Sequence, residues 1–356
     1  MERILAHRTY LDHAATTPII AAARDAVTRG QQLWANPSSP HAEGRAARAA
    51  LEDARRGIAQ AYGWRGETLV TSGASESLTI ALGRTTLARR LITAVEHDAV
   101  MRAGGDAGVV PVGADGIVDE AALARMLAVE PALVCVQWAN SETGVRQPIK
   151  AIADLVHGAG GRVLVDAAQM PASAELADVA DMIAVSAHKR GGPPGVGALL
   201  VRDLALLHPT GGQERGYRSG TENLPGVFGH AAALAEPEPD HGPLRARLDD
   251  AITRSGGEIV ASASPRHPAI GSYRLRGVAS AAQLILLDSA GFAVSAGSAC
   301  SSGSMKPSHV LGAMGWDVAA GREVIRVSFG RTTTEAEVDA FIAAWRKMAR
   351  TARRAA

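Results

Sequence analysis

The chain has 356 residues, of which 47% are hydrophobic and 21% charged, and its formal net charge at pH 7 is +1. A chain of this length and composition is expected to form two globular domains that share an interface. The small net charge argues against direct binding of nucleic acid or an anionic membrane, and no apolar run or leader pattern indicates a membrane span or a signal peptide.

In the middle of the chain, from 67 to 203, short β-rich apolar segments alternate with segments of helical spacing. Six of the apolar segments are predicted to be buried strands: 67–73, 89–97, 132–140, 161–169, 181–189 and 196–203. Helices are predicted between them at 76–90, 120–128 and 149–160. This alternation is typical of a mostly parallel sheet with helices on both faces, so the predicted fold class is α/β.

A segment rich in proline and acidic residues, 235–244, interrupts this pattern. We therefore predict a large domain at 13–235 and a smaller α+β domain that combines 1–12 with 236–356. The smaller domain is predicted to contain helices at 243–256 and 334–354 and strands at 256–262, 267–277, 290–298 and 322–330.

Polar side chains follow the predicted strands of the large domain, at the edge where ligands bind in sheets of this kind. They are Ser72, His97, Asn140, Asp166, Gln169, His188 and Lys189. Because so many polar residues coincide at strand ends, the sequence predicts a ligand site at this edge of the sheet.

Lys189 is the first candidate for the chemistry of this site. It follows an apolar strand, precedes a glycine-rich turn and is one of only four lysines in the chain. A lysine held at a strand end can form a Schiff base with an aldehyde cofactor. An isolated lysine in this position is more often simply exposed to solvent, so the interpretation depends on its neighbours.

The neighbouring residues suit pyridoxal phosphate (PLP). Asp166 closes a buried strand, where a carboxylate is costly unless a cation pairs with it, and the protonated pyridine nitrogen of PLP is such a cation. Gln169 can donate to the phenolic oxygen of the cofactor, and Ser75 and Ser77 lie in a turn before a helix that suits a phosphate. His97 can stack on the pyridine ring. The structural alternatives are a helix N-cap for Asp166 and a hydrogen-bonded strand-end residue for His97.

The two cysteines, Cys135 and Cys300, have different sequence contexts, which argues against a disulfide framework and favours a reducing cytoplasm. Cys135 lies between valines and is predicted to be a packed core thiol. Cys300 lies among serines and glycines, which predict a mobile, exposed loop where the thiolate would need activation. Arg326 lies within an apolar strand and requires an anionic partner, either an amino-acid carboxylate or a structural salt bridge.

These motifs, in this order and spacing, resemble those of the NifS/IscS-type cysteine desulfurases within the class V aminotransferases. The resemblance extends from 10–18 to 329–339 and is carried by YLDHAATTP, NPSSPHAEGR, TSGASES, EHDAV, NSETG, VDAAQ, SAHKRGGPPGVGAL, GGQERGYRSGT, SAGSACSSGSMKPSHVL and IRVSFGR. It implies a fold type I PLP-dependent transferase, in which the large domain binds PLP and the small domain carries the catalytic cysteine loop.

The resemblance also implies roles for individual residues. Lys189 would hold the cofactor and share proton transfer with His97, and Cys300 would receive the substrate sulfur as a persulfide. Arg326 and Asn140 would bind the substrate, L-cysteine. The residues that would contact the cofactor are Lys189, Asp166, Gln169, His97, Ala74, Ser75, Ser186, His188 and, from the other subunit of a homodimer, Thr221. No metal is expected.

The implied reaction converts L-cysteine to L-alanine and passes the sulfur to an acceptor protein, for iron–sulfur cluster assembly or for thio-modification of tRNA or DNA. The alternatives are a selenocysteine lyase or cysteine sulfinate desulfinase, a class V aminotransferase, and a non-catalytic regulator that keeps the fold. An aminotransferase would not need a cysteine on a mobile loop, and a non-catalytic regulator would not need the candidate cofactor ligands, which are nearly all present.

The chain departs from the family pattern at four positions. Ser141 stands where the family usually has an asparagine, Leu78 and Thr79 replace an asparagine pair, and Pro194 replaces a common lysine. These departures are expected to leave PLP binding intact and to bear on the catalytic rate and on the choice of partner.

Overall fold

The structure is a computed structural model that describes residues 8–297 and 307–355. Its helices are α1 (Ala21–Gln31), α2 (Ala42–Ala61), α3 (Ala74–Arg84), α4 (Asp98–Gly104), α5 (Glu120–Leu127), α6 (Ile149–Gly158), α7 (Leu224–Ala235), α8 (Gly242–Arg254), α9 (Ser280–Ser289), α10 (His309–Ala313), α11 (Val318–Gly321) and α12 (Glu335–Ala355). Its strands are β1 (Thr9–Tyr10), β2 (Glu67–Thr71), β3 (Arg89–Thr93), β4 (Gly108–Val110), β5 (Ala132–Gln137), β6 (Arg162–Asp166), β7 (Met182–Ser186), β8 (Gly197–Val201), β9 (Glu258–Ile259), β10 (Ile270–Arg274), β11 (Phe292–Ala293) and β12 (Val324–Ser328).

The larger sheet has seven strands in the described part of the chain, in the order β2-β8-β7-β6-β5-β3-β4. The strands β4, β3, β5, β6 and β7 are parallel to one another, while β8 is antiparallel to both of its neighbours, β7 and β2. The predicted α/β class with a mostly parallel mixed sheet is therefore confirmed. Because β8 alone is reversed, the carboxyl ends of the other six strands lie at the same edge.

Strand β5 shows why the sheet is covered by helices on both faces. All six of its residues are buried, and alternate side chains point to opposite faces of a strand. Val134 and Val136 join the cluster that contains residues of α2 and α6, whereas Leu133 and Cys135 join the one that contains residues of α3 and α4. Cys135 is fully buried, so its prediction as a core thiol is confirmed.

Each of the six strands predicted from the sequence contains an observed strand, but two details differ. The three-residue edge strand β4 was not predicted, since three residues carry too little periodicity to recognise. The helix predicted at 76–90 ends at Arg84, because the chain turns there and Thr85 forms a β-bridge with Leu207.

A second sheet lies in the C-terminal part, with β12, β10 and β9 in antiparallel order. The N-terminal strand β1 pairs in parallel with β11, and Asp12 forms a bridge with Ser328 of β12. The start of the described chain thus packs against the last third of the chain. This agrees with the predicted small domain, which combines 1–12 with 236–356. That division stays a prediction. No helix among the described residues has the length and apolar character needed to cross a membrane.

The core of the C-terminal part depends on a few large side chains of α12. Phe341 is fully buried, and its ring meets that of Phe292 edge-on at a centroid distance of 5.5 Å. We expect Phe341→Ala to lower the free energy of unfolding by about 3–5 kcal/mol, because it removes the buried ring and leaves a cavity. Arg346→Ala, on the exposed side of the same helix, should change it by less than about 0.5 kcal/mol. Urea unfolding followed by circular dichroism compares the two, and equal effects would contradict this packing.

A buried carboxyl group links β3 to β5 at the edge where the parallel strands end. The side-chain Oε1 of Glu96 accepts hydrogen bonds from the hydroxyl of Thr93 at 2.6 Å and from the backbone N–H of Gln137 at 2.9 Å. Glu96 is fully buried, and this burial raises the pKa of its carboxyl to about 8. The group is therefore mostly protonated in the folded protein at neutral pH.

A raised pKa makes the stability of the protein depend on pH with a definite sign. The folded state binds the proton of Glu96 more tightly than the unfolded state, so this contribution is complete at low pH and is lost as the pH rises through about 8. The Glu96→Gln side chain stays neutral at every pH. We therefore expect the melting temperature of Glu96→Gln minus that of the wild type to increase as the pH is raised from about 5 to about 9. Glu120→Gln at the exposed start of α5 is the control. Parallel pH profiles for the wild type and Glu96→Gln would refute the assignment.

Candidate active site

A cavity of about 430 Å³ opens at the carboxyl ends of the parallel strands. Its volume is in the range of small-molecule sites, and its position is where open α/β sheets bind ligands. It brings together nine of the residues predicted from the sequence: Ser72, Ala74, Ser75, His97, Asp166, Gln169, Ser186, His188 and Lys189. Asn140, Arg326 and Thr221 do not line it, and Cys300 lies outside the described residues.

One end of the cavity is formed by the first turn of α3. Gly73 precedes this helix and has φ 150°, a backbone conformation that favours glycine. Gly197 packs so closely against it that a Cβ on Gly197 would lie 2.6 Å from the Cα of Gly73. The close approach of these two glycines places the amino end of α3 beside Ser186, at the end of β7. The amino end of a helix presents unpaired N–H groups and a partial positive charge, which suit a phosphate group.

Asp166 lies at the end of β6, on the floor of the cavity, and is only 7% exposed. Its Oδ1 accepts a hydrogen bond from the backbone N–H of Ala168 at 3.0 Å. Burial raises the pKa of the Asp166 carboxyl, while this hydrogen bond and the nearby His97 and Lys189 act in the opposite direction. A cation bound in the cavity would therefore stabilise the ionised form of this carboxylate.

Lys189 and Gln169 are held by the N-terminal segment that contains YLDHAATTP. The Nζ of Lys189 donates to the carbonyl oxygens of Ala14 and Ala15, the latter at 3.0 Å. The side-chain Nε2 of Gln169 also donates to the Ala14 carbonyl, at 3.0 Å, which leaves its second N–H for another acceptor. The segment before α1 thus fixes the lysine at the wall of the cavity.

Two histidines of the cavity are kept neutral by their surroundings. His97 caps α4, since its Nδ1 accepts from the backbone N–H of Ala99 at 3.1 Å, and the ring proton is therefore assigned to Nε2. Burial lowers the pKa of His97. Burial and the neighbouring Lys189 lower the pKa of His188 to about 4, and its Nδ1 lies 3.1 Å from the hydroxyl of Thr16. His97 is thus a hydrogen-bonded strand-end residue, the structural alternative considered for it, and it also lines the cavity.

A second cavity, of about 350 Å³, adjoins the first, and His97 and Ser141 line both. Its wall contains Asn140, the acidic residues Glu96, Asp98 and Glu142, and His309. Gly297 and Pro307, which flank the segment that carries Cys300, also line it. The described ends of the cysteine segment therefore meet the wall of a cavity that adjoins the site of Lys189.

Arg326 has an anionic partner within the protein. Its guanidinium Nη2 lies 2.6 Å from Asp12 Oδ1, and its Nη1 donates to the backbone carbonyl of Ser141 at 3.0 Å. The salt bridge considered for Arg326 is therefore present, and its partner was not foreseen because it is 314 positions away in the sequence. The backbone of Ser141 connects this buried arginine to both cavities.

Asn140 and Thr221 are placed differently from the other predicted site residues. The side-chain amide of Asn140 donates to the Val95 carbonyl at 3.0 Å and accepts from the backbone N–H groups of Glu142 and Thr143. Its amide thus shapes the turn after β5, and its contact with substrate stays a prediction. Thr221 is exposed, in the loop before α7, and is available to another subunit.

The residues of the first cavity fit PLP. A lysine amine stands at the wall, a buried carboxylate that calls for a cationic partner lies at the end of β6, and a helix amino end with Ser186 and His188 suits the phosphate. The donor at Gln169 and the neutral ring of His97 complete the set. Each polar part of the cofactor thus has a matching group at the carboxyl edge of one sheet.

Comparison with known proteins agrees with this arrangement. The family model for class V aminotransferases matches residues 9–341. An IscS-like cysteine desulfurase of Mycobacterium tuberculosis is 38% identical over 389 aligned positions, which cover 98% of each chain. The structure of a NifS-like protein from Rickettsia africae superposes with a TM-score of 0.87 at 28% identity and covers 96% of this chain and 99% of that one.

A further solved structure, that of SspA in complex with cysteine, has a TM-score of 0.78 at 28% identity and covers 91% of this chain and 99% of its own. The relatives and the family model span nearly the whole chain, and the class V family to which they belong is PLP-dependent. By its sequence, its fold and the residues of its cavity, this chain belongs to the class V aminotransferase family.

Proposed function

We propose that the chain is a PLP-dependent cysteine desulfurase, which converts L-cysteine to L-alanine and transfers the sulfur to Cys300. The observation that carries this proposal is the pairing of two adjoining cavities. The first holds Lys189 and Asp166, and the second is lined by Gly297 and Pro307 on either side of the cysteine segment. The desulfurases among the relatives give the proposal its substrate.

The cofactor would be held by residues at the ends of three strands, β2, β6 and β7. Lys189 would bind it covalently through Nζ, Asp166 would pair with its ring nitrogen, and Gln169 would donate to its phenolic oxygen. The first turn of α3 at Ala74 and Ser75, with Ser186 and His188, would hold the phosphate. When bound, PLP withdraws electrons from the substrate carbons and so weakens the bonds that must break.

Proton transfer falls to Lys189 and His97. Both line the first cavity, and His97 also lines the second, so it faces the space between cofactor and substrate sulfur. Because burial lowers the pKa of His97, its ring is neutral at pH 7. Its Nδ1 accepts from the Ala99 N–H, so its Nε2–H can donate to the substrate while the ring stacks on an aromatic ring. The Nζ of Lys189 would accept the proton that leaves the substrate Cα.

Cys300 would be the nucleophile for sulfur. Its thiolate would attack the sulfur of the substrate, so that an S–S bond forms and the Cβ–S bond breaks with its electron pair left on the substrate carbon. That carbon takes up a proton and becomes the methyl group of alanine. The sulfur stays on Cys300 as a persulfide, ready for transfer to the thiol of an acceptor protein.

Arg326 would bind the carboxylate of L-cysteine. Its Nε has no hydrogen-bond partner among the described residues, although it is buried. Asp12 would share the guanidinium with the substrate and orient it in the free enzyme. Asn140, in the turn that includes Ser141, would shape the substrate side of the second cavity.

The working unit would be a cytoplasmic homodimer. Thr221 is exposed and does not line the cavity of its own chain, which supports a contact with the phosphate in the other subunit. The sulfur acceptor would be a protein of iron–sulfur cluster assembly or of thio-modification. Ser141, in place of the usual asparagine, lies where the two cavities meet and would influence the rate of sulfur transfer.

The two cysteines provide a matched test of the proposal. We expect Cys300→Ala to lower alanine formation from L-cysteine by roughly 100-fold or more, because the sulfur acceptor is lost, while the visible absorbance of bound PLP stays unchanged. Cys135→Ala, in the core, should keep the activity at a modest cost in stability. Mass spectrometry after turnover should find the persulfide on Cys300 in the Cys135→Ala protein.

Two results would contradict the proposal. Normal alanine formation by Cys300→Ala would remove Cys300 from the reaction. Alanine formation that requires an added keto acid, with no sulfide or persulfide, would indicate an aminotransferase instead.

A further inference from the structure

A third cavity, of about 20 Å³, lies between the Lys189 turn, the N-terminal segment and the C-terminal part of the chain. A cavity of this size has room for a single small particle, such as one water molecule or one monatomic ion. Three imidazoles, two guanidinium groups and one carboxylate line it: His13, His241, His267, Arg190, Arg331 and Glu238. We call it the histidine cavity. Lys189 and Gln169 form the wall that it shares with the cofactor cavity.

One wall of the histidine cavity carries a buried donor without an acceptor. His267 is 4% exposed, and its Nδ1 accepts a hydrogen bond from the backbone N–H of Ala269 at 3.0 Å. In the neutral ring the proton therefore sits on Nε2. That Nε2 is buried and has no hydrogen-bond partner in residues 8–297 and 307–355. Leaving a buried donor unpaired is costly, so the site calls for an acceptor.

The charges around the histidine cavity favour an anionic acceptor. Burial lowers the pKa of His267 well below its ordinary value, and Arg190, Arg245 and Arg146 lower it further, so the ring is neutral in cationic surroundings. Glu238 is shared by two guanidinium groups, with Arg190 at 2.9 Å and Arg331 at 3.5 Å. The two guanidinium groups thus outnumber the one carboxylate between them, while burial keeps His13 and His241 neutral by lowering their pKa values.

We propose that the histidine cavity binds a monatomic anion of the size of chloride. The anion accepts a hydrogen bond from the Nε2–H of His267 and balances the positive charge that remains on Arg190 and Arg331 after their shared pairing with Glu238. A metal ion does not suit these residues, because the described part of the chain contains no group of three or more His, Cys, Asp or Glu side chains arranged to hold one. The anion would lie between Arg190, which follows Lys189, His267 in the segment before β10, and Arg331 in the turn after β12. It would therefore tie the two parts of the chain together behind the cofactor site.

Bromide replaces chloride in such sites and can be located by its anomalous scattering. The direct experiment is to crystallise the full-length, PLP-loaded protein in sodium bromide and to collect data at the bromine absorption edge. We expect an anomalous peak in the histidine cavity, within hydrogen-bond distance of His267 Nε2. A water molecule there in the presence of bromide, or no peak, would overturn the proposal.

A solution measurement tests the same site through stability. The melting temperature of the PLP-loaded protein is measured in sodium chloride and in sodium gluconate of equal ionic strength, since gluconate is too large for the cavity. We expect chloride to raise it by about 3 °C in a saturable manner, because a ligand that binds only the folded state stabilises it. Equal melting temperatures in the two salts at all concentrations would contradict the proposal.

Two histidine substitutions separate the site from the general effect of salt. His267→Leu removes the donor and should abolish the difference between chloride and gluconate. His230→Leu is the matched control, because His230 is another fully buried histidine but lies in α7 and does not line the cavity. His230→Leu should show the same difference in melting temperature between chloride and gluconate as the wild type, even if its melting temperature is lower in both salts. A chloride effect that persists in His267→Leu would refute the assignment, and the bromide experiment decides the matter if that variant does not fold.

Discussion

The site depends on a buried carboxylate that needs a cation. Asp166 is the last residue of β6, whose last four residues are buried, and only 7% of it is exposed. The backbone N–H of Ala168 and the nearby His97 and Lys189 lower the pKa of its carboxyl, but burial outweighs them and the pKa stays raised. A ligand with a protonated ring nitrogen relieves this cost, and in return the carboxylate keeps that nitrogen protonated. Binding and electron withdrawal therefore follow from the same residue.

The direction of the strands explains why the other groups gather around Asp166. Because six of the seven strands end at one edge, residues far apart in sequence, such as Ser75, His97 and Lys189, line one cavity. The remaining walls come from the N-terminal segment, whose carbonyl groups hold Lys189 and Gln169. The same segment reaches the histidine cavity, so the cofactor site lies within a frame built from both ends of the chain.

Much of this arrangement could be predicted from the sequence, for physical reasons that also show where prediction stops. Strand periodicity and the polar residues at strand ends identified Asp166, His97 and Lys189, since local patterns determine both features. The partner of Arg326 could not be predicted in this way, because Asp12 belongs to a distant segment brought near by the pairing of β1 with β11. Nor could the sequence show that the side-chain amide of Asn140 would form hydrogen bonds with the backbone of Val95 and Glu142, since these contacts depend on the backbone path after β5.

The most direct test of this account measures the protonation of the cofactor nitrogen. PLP labelled with ¹⁵N in the pyridine ring is bound to the wild type and to Asp166→Asn, and the ¹⁵N chemical shift is recorded near neutral pH. The account predicts a protonated ring nitrogen in the wild type and an unprotonated one in the variant. An unprotonated nitrogen in the wild type, or the same shift in both proteins, would contradict it.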